Sequence, residues 1–251
     1  MIIIPMAGLS SRFKKAGYDL PKYMLSAHGK TLFDHSVESF KNLFKTEHFL
    51  FIALDVFNTK DFIESSCIQL GISSYSIVIL EAPTRGQAET VYLGLRSLPD
   101  KIQDQPITIF NIDTFRPNFT YPLDFDLTAI DGYLETFVGS GKNWSNVVPV
   151  ELGSNRVALT AEKEELSEFC CTGLYYWASA NKFMSLFESL KEKPADSLSG
   201  GEYYIAPIYN ELIETGADVR FSIVAATDVI FCGIPSEYDS FLKKSSYRTL
   251  R

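Results

Sequence analysis

Short apolar segments alternate with helix-like segments through the first 110 residues, and this alternation restricts the possible folds more than any other feature of the chain. The predicted helices lie near 58–70 and 87–98, and a further one is marked by apolar residues three and four positions apart, at Phe33, Val37, Phe40 and Phe44. The predicted strands are Ile2–Met6, Phe49–Leu54, Tyr75–Leu80 and Ile107–Phe110. Strands that alternate with helices predict a mainly parallel sheet covered by helices on both faces.

The second half of the chain has a different pattern, in which strands follow one another more closely. Helices are predicted near 180–191 and 203–215, and the strand candidates are Leu127–Ile130, Tyr133–Phe137, Val147–Leu152 and Thr172–Trp177. We expect these strands to extend the same sheet in an antiparallel or mixed arrangement. The one stretch of flexible composition, 193–201, is too short for a domain linker, so residues 1–251 are predicted to form a single domain.

The charge balance limits the partners of the protein. The formal net charge is −8 and the pI is about 5.0, which argues against nucleic-acid binding and against adhesion to an anionic membrane. The longest apolar runs fall far short of the roughly 18 residues that a membrane helix needs. Residues 1–5 lack the basic leader and small-residue cleavage site of a signal peptide, so we expect no membrane insertion and a cytoplasmic protein.

Cysteine and histidine usage gives no sign of a metal or disulfide framework. The cysteines are scattered without a CxxC pair, and the three histidines lie apart from them. We therefore expect buried thiols, no zinc site and no disulfide framework for Cys67, Cys170, Cys171 and Cys232.

The segment after the first strand is the strongest candidate for a functional site. Small residues at 7–11, Ala7-Gly8-Leu9-Ser10-Ser11, can direct several backbone N–H groups at a phosphate, and Arg12 and Lys22 can add positive charge. The spacing matches neither a P-loop nor a dinucleotide-binding motif. Judged by spacing alone, a plain strand-to-helix turn with two solvated cations is an equally good interpretation.

This segment resembles the signature of the sugar-phosphate nucleotidyltransferase family, which usually shows G-x-G-[ST]-R followed by P-K. Here Pro21-Lys22 supplies the second part, whereas Ser10 stands in place of the second glycine. The resemblance continues in order along the chain at Arg85–Ala88, Asp113, Trp144-Ser145, Glu162-Lys163, Thr172–Tyr176, Gly201-Glu202 and Gly233–Pro235. It is greatest for members that serve capsular polysaccharide biosynthesis.

The resemblance implies a three-layer α/β/α Rossmann-like fold of the GT-A type, with a mixed, mostly parallel central sheet. It also implies that residues 1–115 form a nucleotide-binding half and residues 116–251 an acceptor-binding half. Arg12 would hold the phosphates that leave as pyrophosphate, Lys22 would bind near the α-phosphate, and Lys163 would hold the phosphate of the acceptor. The remaining nucleotide-binding candidates are Ala7, Gly8, Leu9, Ser10, Ser11, Glu81, Arg85, Gly86 and Gln87, and the acceptor-binding candidates are Glu162, Thr172, Gly173 and Glu202.

A divalent cation is expected from the same resemblance, namely Mg²⁺, with Mn²⁺ as a substitute. Asp113, which follows an apolar strand, matches the metal-binding aspartate of the family, although an aspartate there could also cap a turn. The second metal aspartate of the family corresponds to Phe231 in this chain. Asp228 is a doubtful replacement, because three positions along a strand would place it on the opposite face.

The base is expected to be selected by the loop that begins at Glu81, where thymidylyl- and uridylyltransferase relatives commonly carry glutamine. An ionised carboxylate only accepts hydrogen bonds, which suits the amino group of cytosine and favours CTP over UTP and dTTP. Pairing of Glu81 with Arg85 is an alternative of nearly equal weight.

The acceptor is expected to be a phosphorylated small molecule. Family members often carry a longer acidic motif after the position of Glu202, whereas this chain has Tyr204, Ala206 and Pro207 there. The acceptor could therefore be a sugar 1-phosphate or a non-sugar phosphate such as a phosphorylated amino acid or phosphocholine. Two other functions remain open: a GT-A glycosyltransferase that uses Asn111-Ile112-Asp113 on an NDP-sugar donor, and a nucleotide-binding protein without turnover.

Overall fold

A computed structural model describes residues 1–99, 105–192 and 201–244 of the chain. Most of the stretch predicted to be flexible, 193–200, lies outside these ranges. One nine-stranded sheet runs through both halves of the chain and is flanked by helices. The predicted fold class, an α/β protein with a mixed, mostly parallel central sheet, is confirmed.

Strands β1, β4, β5 and β6 of the first half are mutually parallel, in the order β6-β1-β4-β5. Beyond β6 the sheet continues with β11, β9 and β10, each antiparallel to the strand before it. β8 also pairs antiparallel with β11, and β12 pairs parallel with β8. The strands of this sheet are β1 Ile2–Pro5, β4 Phe49–Leu54, β5 Tyr75–Leu80, β6 Ile107–Phe110, β8 Gly132–Val138, β9 Ser145–Pro149, β10 Val157–Glu162, β11 Phe169–Trp177 and β12 Val219–Val224. The four remaining described strands form two small antiparallel pairs: β2 Ser26–Ala27 with β3 Lys30–Thr31, and β7 Thr114–Phe115 with β13 Ile230–Phe231.

The inner parallel strands of the sheet, β1, β4 and β6, are buried on both faces, as their apolar runs require. Ile3 belongs to one large apolar cluster, whereas its neighbours Ile2 and Ile4 belong to another on the opposite face. The cluster of Ile3 includes residues of the helices Gln87–Arg96, Ala180–Lys191 and Ile208–Glu214, and the other includes residues of the helices Leu32–Val37 and Thr59–Leu70. The described α-helices are α1 Ser11–Lys15, α2 Leu32–Val37, α3 Thr59–Leu70, α4 Gln87–Arg96, α5 Ala180–Lys191, α6 Ile208–Glu214 and α7 Pro235–Lys243.

Several sequence predictions are corrected by the structure. Leu127–Ile130 is not a strand: Leu127–Ala129 forms a 3₁₀ turn whose Thr128 N–H donates to Asp126 Oδ1 at 2.8 Å. The helix predicted through Phe44 ends at Val37 and continues as a 3₁₀ segment, in which Phe40 leaves helical geometry at φ −100° and ψ 24°.

In the second half, the helix predicted from 203 begins only at Ile208, and the strand predicted at Val147–Leu152 spans Ser145–Pro149. Strands β10 and β12 were missed. All four cysteines are buried, as predicted. None of the described helices is long and apolar enough to cross a membrane.

Candidate active site

The loop between β1 and α1 is open toward solvent. A Cβ added to Gly8 would meet no atom within 4 Å, and the φ of this glycine lies outside the left-handed region. The left-handed residue is instead Ser10, with φ 52° and ψ 33°. Its hydroxyl accepts a hydrogen bond from the Lys22 backbone N–H at 3.1 Å. Ser10 therefore makes the turn expected of a glycine and ties the loop to the Pro21-Lys22 segment.

The other members of this loop differ in exposure. Ala7 is buried, Leu9 is exposed, and Ser11 and Arg12 lie exposed in the first turn of α1. Among the described residues, Arg12 has no ion-pair partner. Burial raises the pKa of Tyr204, in the second half of the chain, and the positive charge of Arg12 opposes that rise.

Lys22 and Asp113 form an ion pair, with Lys22 Nζ 2.5 Å from Asp113 Oδ2. The two side chains are about equally accessible, 21% and 20% exposed. They come from the loops that follow β1 and β6, which are adjacent parallel strands. Because ligands bind outside the carboxyl ends of such strands, both groups lie where an α/β protein of this type binds its substrate.

A row of polar groups connects Gln87 to the second half of the chain. Gln87 Nε2 donates to Asn111 Oδ1 at 2.5 Å, and the Asn111 backbone N–H donates to the Gly173 carbonyl at 3.1 Å. Gly173 has φ +98°, and a Cβ there would lie 2.4 Å from Asn111 Nδ2. Gly173 is thus required for the close approach of Asn111, and the amide of Gln87 is held in place by a protein partner.

In the loop after β5, Glu81 does not form the ion pair with Arg85 that the sequence suggested as an alternative. Arg85 Nη2 instead lies 3.3 Å from Glu89 Oε1, and its guanidinium stacks 4.7 Å from the ring centroid of Tyr203. Glu81 is exposed and lines a cavity of about 570 Å³ together with Glu89 and Arg96.

Gly86 joins this loop to the second half of the chain. It has φ +133°, and a Cβ there would lie 2.5 Å from the carbonyl oxygen of Tyr203. The Tyr203 N–H donates to the Arg85 carbonyl at 2.7 Å, and the Ala88 N–H donates to the Tyr203 carbonyl at 2.9 Å. The loop after β5 is therefore fixed to the segment that carries Glu202 and Tyr204.

The predicted acceptor residues Lys163 and Glu202 are brought together by Tyr204, which the sequence analysis had only noted as a departure from the family motif. Lys163 Nζ donates to the Tyr204 hydroxyl, and that hydroxyl donates to Glu202 Oε2 at 2.5 Å. Burial, followed by the hydrogen bond to Glu202, raises the pKa of Tyr204. Tyr204 therefore remains a neutral phenol that links the ammonium group to the carboxylate.

Glu162 lies beside this group at the end of β10. Its carboxylate accepts a hydrogen bond from the Ser145 hydroxyl, and burial raises its pKa, with the charge of Glu202 acting in the same direction. The next residue, Lys163, has a left-handed φ of 57°, and its backbone N–H donates to the Trp144 carbonyl at 3.1 Å. This local turn directs consecutive acidic and basic side chains into the site.

Thr172 is placed differently from the other acceptor candidates. It is 1% exposed, and its hydroxyl donates to Glu135 Oε1 at 3.0 Å. Glu135 in turn accepts from Arg116 Nε at 2.8 Å in a buried ion pair, and Arg116 Nη1 donates to the backbone carbonyl of Asp228 at 3.2 Å. The Thr172 side chain is thus engaged in a buried network below the site.

Asp113 is the residue best placed to hold the divalent cation. A Cβ at Gly233 would lie 3.0 Å from Asp113 Oδ2 and 3.6 Å from Glu237 Oε2, so the glycine keeps space open beside the aspartate. Glu237 Oε2 accepts from the Gly233 N–H at 2.8 Å and helps to cap α7. Mg²⁺ usually takes one or two protein carboxylates together with substrate phosphates, so this donor set fits it.

The two positions considered for a second metal ligand, 231 and 228, contribute less. Phe231 offers no ligand atom, and Asp228 is exposed in a 3₁₀ turn rather than on a strand. In the described part of the chain, no group of three or more histidine, cysteine, aspartate or glutamate side chains could hold a metal ion. Protein ligation of a cation would therefore depend mainly on Asp113.

The sequence analysis missed Asn111 as a partner of Gln87, Glu237 as a neighbour of Asp113, and the bridging role of Tyr204. The first two positions carried a usable signal, since Asn111 directly follows a predicted strand and Glu237 follows the motif residues Gly233–Pro235. Tyr204 carried none, because its contacts with Lys163 and Glu202 depend on tertiary structure.

The fold and these loops define the chain as a nucleotidyltransferase-type α/β protein, and comparisons with known proteins identify its family. The structure of a nucleoside-diphosphate-sugar pyrophosphorylase from Vibrio cholerae RC9 is 48% identical, with a TM-score of 0.92, and the match covers 97% of this chain and 100% of that one. No protein-family model and no curated protein matches the chain. The chain belongs to the sugar-phosphate nucleotidyltransferase family.

More distant structures share the fold. A putative glucose-1-phosphate thymidylyltransferase from Bacillus anthracis is 15% identical with a TM-score of 0.76, and the match covers 100% of this chain and 96% of that one. The inositol-1-phosphate CTP transferase from T. maritima is 18% identical with a TM-score of 0.71, over 97% and 96% of the two chains. At these identities the comparison supports the architecture alone.

Proposed function

We propose that this protein transfers a nucleotidyl group from an NTP to a phosphorylated acceptor and releases pyrophosphate. CTP is the favoured nucleotide, followed by UTP and dTTP, and Mg²⁺ is the cofactor, with Mn²⁺ as a substitute. The acceptor is a sugar 1-phosphate or a small non-sugar phosphate, and the NDP-linked product serves capsule or surface polysaccharide synthesis. The observation that carries this proposal is the Lys22–Asp113 pair beside the open loop after β1.

The chemistry explains why cations surround this loop. An oxygen of the acceptor phosphate attacks the α-phosphorus, the bond to the β-phosphate breaks, and pyrophosphate leaves, although both reactants are anionic. Arg12 holds the departing phosphates, Lys22 holds the α-phosphate, and Lys163 holds the acceptor phosphate. A divalent cation held by Asp113 would neutralise phosphate charge. The two halves act as one domain, since a single sheet carries both.

Measuring pyrophosphate release tests this function directly. Each of the four NTPs is combined with glucose 1-phosphate, phosphocholine and a phosphorylated amino acid, with Mg²⁺ present. Pyrophosphate that forms only when both substrates are present supports nucleotidyl transfer. A glycosyltransferase or a nucleotide-binding protein without turnover forms none, so its absence from every combination would reject the proposal.

The preference for CTP rests on Glu81. Because Arg85 pairs with Glu89, the ion pair that would have engaged Glu81 at the loop edge is not formed. A good base contact is worth about 1–3 kcal/mol, so Glu81→Gln should shift the CTP/UTP ratio of kcat/KM toward UTP by roughly 5- to 150-fold. Glu64→Gln, which changes an exposed glutamate on α3, is the matched control. An unchanged ratio in Glu81→Gln would assign base choice to other groups.

A further inference from the structure

Three aromatic side chains, Phe137, Trp144 and Phe231, pack together beside the acceptor residues, and we call them the aromatic wall. The ring centroids of Trp144 and Phe231 are 4.6 Å apart, and Phe137 lies 5.1 Å from Trp144 and 5.3 Å from Phe231. The wall is separate from the large apolar clusters of the described residues. Trp144 and Phe231 are partly exposed, so part of the wall is accessible.

The backbone places this wall between Asp113 and Lys163. Phe231 pairs with Thr114, the residue after Asp113, and the N–H of the following residue, Cys232, donates to the Asp113 carbonyl at 2.8 Å. On the other side, the Trp144 carbonyl accepts from the Lys163 N–H at 3.1 Å. The rings therefore border the space in which an acceptor phosphate held by Lys163 must reach the nucleotide.

Two carboxylates lie on the same side of the site. Glu162 precedes Lys163 and is hydrogen-bonded to Ser145, the neighbour of Trp144, while Glu202 accepts from the Tyr204 hydroxyl. Aromatic faces and carboxylates both attract cations, and their combination is typical of sites for alkylammonium groups. Phenylalanine rings, by contrast, offer no hydrogen bond to the hydroxyls of a sugar.

We infer that the acceptor is a small phosphomonoester whose other end is an alkylammonium group, held by the aromatic wall together with Glu162 and Glu202. Lys163 then binds the phosphate at one end, and the wall selects the cation at the other. This inference rests on the proposed nucleotidyl transfer and narrows its acceptor. Quaternary and primary ammonium groups share this chemistry, and the experiment separates them.

The test compares phosphocholine, phosphoethanolamine and glucose 1-phosphate with the full-length enzyme. Pyrophosphate release is measured with each NTP. Calorimetry measures the binding of each of the three acceptors in the presence of the corresponding non-hydrolysable α,β-methylene NTP. We expect kcat/KM to be at least about tenfold higher for an ammonium acceptor than for glucose 1-phosphate. Whichever of phosphocholine and phosphoethanolamine is preferred identifies the degree of methylation.

Variants connect that preference to the wall. Glu162→Gln and Phe231→Leu should each lower kcat/KM for the ammonium acceptor by about tenfold or more, and by a larger factor than they lower it for glucose 1-phosphate. Glu164→Gln, an exposed neighbour on the same loop, is the control and should change neither. Calorimetry of the two variants compares the binding of the ammonium acceptor with that of glucose 1-phosphate without turnover.

The outcomes separate this inference from the proposed function. A preference for glucose 1-phosphate, or an equal loss with all acceptors in Glu162→Gln and Phe231→Leu, overturns the ammonium site while nucleotidyl transfer stands. Selective binding of ammonium phosphates without pyrophosphate release supports the site and contradicts the transferase. Absence of both binding and release with the ammonium phosphates overturns the inference.

Discussion

The two halves of the chain hold their functional groups in different ways. In the first half, which we propose binds the nucleotide, Arg12 projects from an exposed helical turn and Lys22 is held by a single ion pair to Asp113. In the second half, which we propose binds the acceptor, Tyr204 joins Lys163 to Glu202, and Glu162 is bonded to Ser145. The first arrangement suits a flexible triphosphate that supplies much of its own shape, whereas the second fixes charged groups before the acceptor arrives.

From this difference we expect the first half to determine whether the reaction proceeds and the second half to determine which acceptor is used. Charge neutralisation at the nucleotide side is needed with any acceptor, so changes there should lower turnover with every substrate pair. The linked side chains of the acceptor half should instead affect acceptor binding and leave nucleotide binding nearly unchanged. Substitutions in each half therefore test the comparison.

The largest effect is expected for Asp113→Asn. Loss of the carboxylate removes the best-placed ligand for a divalent cation, and turnover should fall by at least about 1,000-fold with every acceptor. The thermal transition should stay close to that of the wild type, because the side chain lies at an accessible strand end. Pyrophosphate release and thermal melting measure the two quantities.

Asp228→Asn is the matched control for that substitution, since Asp228 is exposed and its backbone carbonyl, rather than its side chain, is bonded to Arg116. It should keep nearly full activity. If Asp228→Asn proves as damaging as Asp113→Asn, the assignment of cation binding to Asp113 alone is wrong.

Arg12→Ala and Lys22→Ala should each reduce kcat/KM by about 100-fold, which corresponds to about 2.7 kcal/mol of transition-state binding. The reduction should be similar for different acceptors, because both cations neutralise the triphosphate. Lys14→Ala, on the same short helix as Arg12, is the control. A Lys22→Ala enzyme within a few-fold of wild type would remove Lys22 from the mechanism.

Tyr204→Phe should have a smaller and more selective effect. It deletes the hydroxyl that links Lys163 to Glu202, so the KM for the acceptor should rise by about tenfold, while the KM for the nucleotide stays within about twofold. Tyr18→Phe, which removes a hydroxyl bonded to Asp239, serves as the control. An equal change in both KM values would show that the two halves are not separable in this way.

The smallest effect is a pH dependence of stability that originates at Glu162. Burial raises the pKa of this carboxyl above its ordinary value of 4.5, so the folded protein binds the proton more tightly than the unfolded chain. The resulting stabilisation is complete below pH 4.5 and is lost as the pH rises through the folded pKa. Glu162→Gln cannot titrate, so its stability relative to wild type should increase between pH 4.5 and pH 8.

Thermal melting across that range provides the measurement for Glu162. A difference between wild type and Glu162→Gln that does not change with pH would show that burial of this carboxylate has no energetic consequence. Glu164→Gln, whose side chain is exposed, should show no such trend.

The same contrast between halves explains what the sequence could predict. The parallel strands Phe49–Leu54, Tyr75–Leu80 and Ile107–Phe110 were predicted with correct ends, because they are mostly apolar and are largely shielded from solvent. Val157–Glu162 was missed because Thr160 and Glu162 interrupt its apolar residues, and because Ala158 and Leu159 are both exposed, so no simple inside–outside alternation marks the strand. Leu127–Ile130 has the composition of a strand, but the Asp126 cap turns the chain there.

Some features of the candidate site could likewise be predicted from the sequence and others could not. The sequence placed Lys22 and Asp113 after predicted strands of a mainly parallel sheet, and the structure shows that these two strands, β1 and β6, are neighbours. It could not foresee that the Thr172 hydroxyl bonds to Glu135 or that Tyr204 joins Lys163 to Glu202, because these contacts connect distant segments. The left-handed conformation of Ser10 was likewise unforeseen, since glycine is the usual residue for that geometry.

The central claim, that the chain moves a nucleotidyl group to a phosphorylated acceptor, is tested most directly by following the α-phosphorus. With CTP labelled at the α-phosphate, Mg²⁺ and an acceptor, the account predicts that the label enters an acceptor-linked product in equal amount to the pyrophosphate released. Lys22→Ala should lower both together. Label that remains in free CTP, or that appears in CMP or CDP without an acceptor-linked product, would contradict it.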